Sequence, residues 1–421
     1  MLRILTTNHK SLHKGICTST KLFNFKNYSS SNKGGNHMDQ NYISEFFHNY
    51  NNIKTIENKK SSIESFVQKF KVGEGLNFSN IKKFIDDNIN ILGSLDAIET
   101  VLDIRSDLGD YASKQHSSTT TPLFSQELLT FESFLYDLIR DELKVDDLVC
   151  KPIDPNHINQ HVLEQITSNE AVHPYSLDKT KRVQEIQQRM NGNDRLCLVL
   201  FHKDIPNLPL MSLYIALTVG IPGKMSTITN EISSTQSPNS AIFYSISSLH
   251  RGLKNVNFGH ILIKKAMKYL QSTYSSKIIN YCTLSPIPNF KNHLKRKSAS
   301  DDTSKNLLAI PNDEEILEAN KNQLLRLCLD YLYNEKKKGN KSIDPVSNFH
   351  LKNGASIYRL NWKGDLSPHR FDESFGIMIN YYYNPDKIST NSSMYKSNGF
   401  ICTEELFENQ LKNKELNVVS K

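Results

Sequence analysis

The apolar positions of the chain change their period near residue 145. Before it, Ile81, Phe84, Ile85, Ile89 and Leu92 recur at three- and four-residue spacing, followed by Leu95, Ile98, Val101 and Leu102. Leu128, Leu129, Phe131, Phe134, Leu135, Leu138 and Ile139 form another such stripe. That spacing belongs to a buried helix face, so residues 39–145 predict a helical domain, with a Ser/Thr-rich loop from Ser117 to Pro122 between two of its helices. Beyond it the period shortens to β-type runs at Leu196–Phe201, Leu210–Leu217 and Ala241–Ile246, then a helix over about 259–271 and a run at Ile278–Leu284. Strands alternating with a helix predict an α/β or α+β domain around a central sheet over 146–421. A charged segment, 291–345, interrupts that domain; its middle, Glu314 to Tyr333, reads as one amphipathic helix packed outside the sheet, with the lysine runs around it as solvated ends. The sheet pattern resumes over Ile357–Trp362 and Gly376–Tyr383, and no internal repeat is present.

Composition narrows the class. No apolar run approaches the roughly 18 residues that a membrane-crossing helix needs, which argues against a membrane protein. The net charge of +7 is concentrated at the start, where Arg3, Lys10, Lys14, Lys21, Lys26 and Lys33 stand without an acidic residue before Asp39. Setting those six aside from 51 basic residues leaves 45 against 44 acidic ones, which is no basic field for nucleic acid. The Ser-, Thr-, Asn- and Lys-rich stretch 1–38 fits an organellar transit peptide better than a secretory signal; the other reading is a disordered tail. The six cysteines show no Cys-x-x-Cys pair and no zinc spacing, so neither a disulfide framework nor a metal is indicated.

Three stretches carry candidate chemistry. Lys254-Asn255-Val256-Asn257-Phe258-Gly259-His260 follows a strand and opens a helix, an arrangement that presents free backbone N–H groups to an anion such as a pyrophosphate. An ordinary turn gives the same pattern. In Leu284-Ser285-Pro286-Ile287-Pro288-Asn289-Phe290 the two prolines stop strand pairing and hold Ser285 at a strand end, where a ligand cleft or a plain strand stop are both possible. His350 stands before the Asn353-Gly354 turn and so is placed at the start of a sheet strand, with an imidazole able to move a proton near neutral pH.

Taken together, these stretches resemble malonyl-CoA decarboxylases over roughly 170–400. The resemblance runs from Glu170-Ala171-Val172-His173-Pro174 through Phe243-Tyr244-Ser245-Ile246-Ser247 to the Leu284–Phe290 block. It continues in His350-x-x-Asn353-Gly354-Ala355, Arg359-x-Asn361-Trp362 and Gly376-x-Met378-x-Asn380-Tyr381-x-Tyr383. It implies an N-terminal helical domain followed by an acetyltransferase-like (GNAT-type) mixed-sheet catalytic domain. Residues Lys254 to His260 would hold the coenzyme A diphosphate, and Ser285 and His350 would be catalytic, with Asn380 and Tyr383 near the site. The chain departs from the family at Asn255, where a glycine is usual, and at His260, where a small residue is.

The implied reaction converts malonyl-CoA to acetyl-CoA and CO2 through a thioester enolate, without cofactor, in fatty-acid metabolism. As CO2 leaves, the bonding electrons flow into the thioester carbonyl, so the enzyme has only to stabilise the migrating charge and protonate the α-carbon. An acyl-CoA-dependent N-acyltransferase and a non-catalytic malonyl-CoA sensor are the alternatives. The resemblance further implies a homotetramer. Animal members of the family can end in a Ser-Lys-Leu peroxisomal address; this chain ends Val418-Val419-Ser420-Lys421, so the leader is expected to direct it to the mitochondrial matrix, with cytoplasm and peroxisome as the alternatives.

Overall fold

The computed structural model describes residues 37–413 except 73–74, 93–94, 116–125, 193, 230–236 and 275–276. Residues 1–36 of the basic leader, the Ser117–Pro122 loop and the last residues of the chain lie outside the described residues, as do the side chains of Ile89, Leu92 and Leu95. The apolar stripes become helices α1 (His37–Tyr50), α2 (Ile56–Gln68), α3 (Ser79–Leu92), α4 (Leu95–Gln115) and α5 (Gln126–Glu142). Ile81, Ile85, Ile98, Val101, Leu102, Leu128, Phe131, Leu135 and Ile139 are all buried. Phenylalanine rings meet at the centre of this core, with Phe46 stacked on Phe66 at 3.7 Å and Phe131 at 6.0 Å from Phe66. Leu129, counted in the stripe, faces outward instead, because adjacent residues on a helix cannot share a face with Leu128.

The sheet begins with β1 (Leu148–Pro152), which the sequence pattern did not show, and continues after helices α6 (Gln160–Asn169) and α7 (Lys179–Arg189) with β2 (Arg195–His202) and β3 (Ile205–Thr218). A short α8 (Met225–Thr229) leads to β4 (Ser240–Ser248), α9 (Phe258–Tyr274) and β5 (Asn280–Thr283). Four helices follow: α10 (Phe290–Lys297), α11 (Asp302–Leu308), α12 (Glu314–Ala319) and α13 (Lys321–Tyr333). The chain then forms α14 (Pro345–Lys352), β6 (Ser356–Asn361), α15 (Pro368–Ser374), β7 (Met378–Tyr382), α16 (Ile388–Asn398) and α17 (Glu405–Lys412).

The seven strands lie in the order β1-β2-β3-β4-β5-β7-β6, antiparallel throughout except for β4 and β5. A parallel pair needs a crossover, and α9 supplies it. Its Leu262, Ile263, Ala266, Met267 and Leu270 are buried against the sheet, the four larger side chains each contributing about 1.5–3 kcal/mol. Helices α1–α5 share that core, while α6 and α7 cover the opposite face through Val162, Leu163, Ile166 and Ile186. A helical region followed by a mixed sheet is the architecture expected.

Two local expectations are corrected. The helix expected from Glu314 to Tyr333 breaks at Asn320 into α12 and α13, because the Asn320 side chain donates to the Ile316 carbonyl at 2.8 Å and competes with helix continuation. His350 lies not at a strand start but in the last turn of α14, which Asp344 caps by accepting from the Ser347 amide at 2.8 Å. The Asn353-Gly354 turn does precede a strand, but it does so as the end of that helix.

Candidate active site

Strands β4 and β5 pair only from Ser240 to Phe243, although β4 runs on to Ser248. Past that point Leu284 and Ser285 leave β4 and follow β7: the Ser285 amide donates to the Ile379 carbonyl at 2.8 Å and the Ile379 amide donates back at 3.0 Å. Pro286 and Pro288 cannot continue the ladder, so the fork between β4 and β5 stays open at Ser285. A bulge opposite Tyr214 and Ile215 turns β4 just where the fork begins.

Ser285 and His350 meet at this fork, with Oγ 3.2 Å from Nε2 and each residue 5% exposed. His350 Nδ1 lies 2.8 Å from the Tyr383 hydroxyl. The Ser285 hydroxyl donates to Thr283 Oγ1 at 2.9 Å, which also accepts from the Tyr381 amide at 3.0 Å. One consistent direction runs through these contacts: Tyr383 donates to Nδ1, Nε2–H donates to Ser285, and Ser285 donates to Thr283. In that direction the imidazole is the Nε2–H tautomer. The ring of Tyr381 stacks on the imidazole at 4.6 Å, and burial holds His350 down to about 3, so the imidazole is neutral across the physiological range.

Asn380 sits one residue from Tyr381 and therefore on the other face of β7. Its amide donates to the Thr283 carbonyl at 2.5 Å and its oxygen accepts from Asn361 at 2.8 Å and Arg359 at 3.1 Å. The structure thus brings Tyr383 to the serine and histidine, while Asn380 and the Arg359–Asn361 pair brace the strand end from behind.

The predicted anion loop stands beside this centre. Lys254, Asn255 and Asn257 are exposed and Val256, Phe258 and Gly259 buried, with Phe258, Gly259 and His260 in the first turn of α9, where amides lack acceptors within the helix; that of His260 donates instead to the Asn257 carbonyl at 3.2 Å. Asn255 has φ +70°, the left-handed region that glycine adopts freely and asparagine tolerates best among other residues, which accounts for the departure at this position. A Cβ on Gly259 would stand 2.8 Å from the ring of Phe349, the neighbour of His350, so the glycine lets α9 approach α14 closely. His260 Nδ1 lies 3.3 Å from the Asn353 carbonyl. The α9 loop and His350 are therefore carried by two helices in direct contact.

Sequence reasoning missed Thr283, Tyr381 and Arg105. Arg105, on α4, is 7% exposed; it donates to the carbonyls of Gly252 and Lys254, the latter at 2.8 Å, pairs with Glu132 at 3.0 Å and lies over the Tyr136 ring. Gly252 is packed so tightly on Leu102 that any side chain there would overlap its backbone. Nothing in the helical stripe marks an arginine as the prop of a loop about 150 residues away. Glu170 explains two other matched segments: its carboxylate accepts from Ser245 and, at 3.2 Å, from Ser247, joining Glu170–Pro174 to the edge of the fork.

The family model for the malonyl-CoA decarboxylase C-terminal domain matches residues 147–421. The mitochondrial malonyl-CoA decarboxylase of Anser anser anser is 34% identical over 281 residues, 58% of this chain and 54% of that protein. That of Mus musculus is 32% identical over 274 residues, 57% and 54%. The chain thus spans about half the length of the curated relatives it matches. Among solved structures, malonyl-CoA decarboxylase from Cupriavidus metallidurans aligns with a TM-score of 0.68 at 22% identity, covering 88% of this chain and 94% of that one. The Rhodopseudomonas palustris structure aligns at 0.64 and 21%, covering 89% and 100%, so the helical region and the sheet domain share one fold with them. With about two thirds of its length matched by the family model and the matched motifs converging on one fork in the sheet, the chain belongs to the malonyl-CoA decarboxylase family.

Proposed function

We propose that this protein decarboxylates malonyl-CoA to acetyl-CoA, and that the observation carrying this reading is the buried Ser285–His350–Tyr383 chain set beside the α9 anion loop. The diphosphate lies on the amides at the start of α9, near Lys254, and the acyl arm enters the fork between β4 and Ser285. Removal from water favours a reaction in which localised carboxylate charge spreads into the thioester carbonyl. The C–C bond breaks, CO2 departs, and its electron pair becomes the enolate; one proton is then added at the α-carbon for each turnover. Because the thioester is the electron sink, the chemistry requires no cofactor.

The 3.2 Å spacing of Ser285 and His350 supports their acting at one reacting centre. Ser285 orients the malonyl carboxylate, and the neutral His350, through Nε2–H, stabilises the enolate oxygen or delivers the proton, which it regains from water before the next turnover. A neutral imidazole suffices for such an electrophilic role, and a thioester enolate is a far stronger base than imidazole requires. Tyr383 holds the tautomer from the Nδ1 side.

The reading is tested by incubating the full chain with malonyl-CoA labelled in its free carboxylate. One equivalent of labelled CO2 per acetyl-CoA is expected. Tight binding without CO2, or free coenzyme A appearing only when an amine is added, overturns it.

Arg105→Ala is expected to raise KM for malonyl-CoA by about tenfold with a much smaller change in kcat, because the Gly252 and Lys254 carbonyls lose their shared donor and the loop its set. Initial-rate kinetics read that split; a fall in kcat at unchanged KM would show that the arginine does not act through the loop. The mitochondrial names of the relatives and the basic leader support import into mitochondria, and the family resemblance supports a homotetramer.

A further inference from the structure

Next to the α9 loop lies a cavity of about 520 Å3, lined by His260, Ser389, Ser392, Ser393, Lys396 and Ser397. One wall is the first turn of α9 and the other is α16. Lys264, one helical turn beyond His260, donates to Ser389 Oγ at 3.0 Å, and the Ser392 hydroxyl is tied to the Lys352 carbonyl at 2.7 Å, bringing a third ammonium-bearing residue to the same rim. Among the described residues, none of Lys264, Lys352 and Lys396 forms an ion pair with a carboxylate. Burial and then the charges of Lys352 and Lys264 push Lys396 below the usual lysine range, and burial, with Lys264 and Lys396 adding to it, pushes His260 down. The rim is therefore a group of mutually repelling cations beside hydroxyl donors, an arrangement that a multiply charged anion relieves.

We infer that this cavity takes the phosphorylated ribose of the coenzyme A nucleotide, with Lys264 and Lys396 on its 3′-phosphate and the Ser389 and Ser393 hydroxyls as further donors. The inference rests on the proposed placement of the diphosphate on α9 and deepens it, since His260 belongs both to that loop and to the cavity wall. It also gives His260, which stands where the family carries a small residue, a place in nucleotide binding. Recognition here is far from the scissile bond and the same in ground and transition states, so it acts on KM.

The test compares malonyl-CoA with malonyl-dephospho-CoA, which differ only in the 3′-phosphate, in the unaltered full chain and in a Lys264→Ala/Lys396→Ala double variant. The unaltered protein is expected to show a KM about tenfold higher for the dephospho substrate, the effect of losing charge-assisted hydrogen bonds to one phosphate. In the double variant the two KM values are expected to converge on the higher one. Equal KM values in the unaltered protein, or discrimination that survives in the variant, overturn the inference. If neither substrate is decarboxylated, the proposed reaction fails by itself. Calorimetric titration of coenzyme A against dephospho-coenzyme A into the same two proteins then decides the cavity, by the same tenfold preference and its loss. Both lysines project from exposed helix positions, so the variant is expected to fold, which an unchanged melting temperature verifies.

Discussion

His350→Ala is expected to lower the release of CO2 from malonyl-CoA by roughly 10²–10⁴-fold with little change in KM, the range for one positioned acid–base or oxyanion group. The substitution removes the imidazole that faces Ser285 and leaves Ser285 and Tyr383 without their common partner, while the α9 loop proposed to anchor the substrate is untouched. The pH profile of the unaltered enzyme carries the same information. Burial depresses the imidazole to about 3, so His350 gains a proton only below that value and is neutral at every pH above about 4. Its titration should therefore be absent from kcat measured between pH 5 and 8. An acid limb near pH 6.5 that vanishes in His350→Gln would show that the imidazole works as a cation and would sink the neutral-donor assignment.

Gly354→Ala is expected to cost about 3 kcal/mol or more of folding stability, read as a lower urea midpoint at unchanged slope. Gly354 has φ +92°, where an L side chain is strained, and a Cβ there would overlap the Ile388 carbonyl at the start of α16. Both effects act on the end of α14, four residues from His350. The surviving folded fraction should thus also turn over slowly, because α14 can relieve the overlap only by moving His350 away from Ser285. Normal stability and normal turnover in this variant would mean that the turn relaxes without disturbing the helix.

The stripes at Ile81–Ile85 and Leu128–Ile139 and the apolar runs at Leu196–Phe201 and Ala241–Ile246 were readable because each element buries a face with its own period, which is a local property of the chain. Strand β1 was not readable, since its burial fades from Leu148 toward an exposed Lys151 and Pro152 at the sheet edge, and helix α7 was hidden by buried contact at Ile186 alone. His350 was placed on the wrong kind of element because the Asn353-Gly354 signal marks the end of a helix as well as it marks a hairpin. Ser285 and His350 could be named from motif blocks, but their 3.2 Å contact could not, nor could the separate duties of Tyr383 and Asn380 on opposite faces of β7.

By itself, then, the sequence determined the helical region, the sheet-forming segments, the two prolines that stop the strand after Ser285, and the residue types able to move a proton or cradle an anion. Those follow from local periodicity, φ restriction and side-chain chemistry. Only the tertiary structure decided that the β4–β5 fork opens at Ser285, that burial keeps His350 neutral, and that Arg105 reaches from the helical region to hold the Gly252 and Lys254 carbonyls. Each of these depends on groups 40 or more residues apart along the chain, or on the exclusion of water by the assembled core, and neither leaves a periodic trace in the sequence.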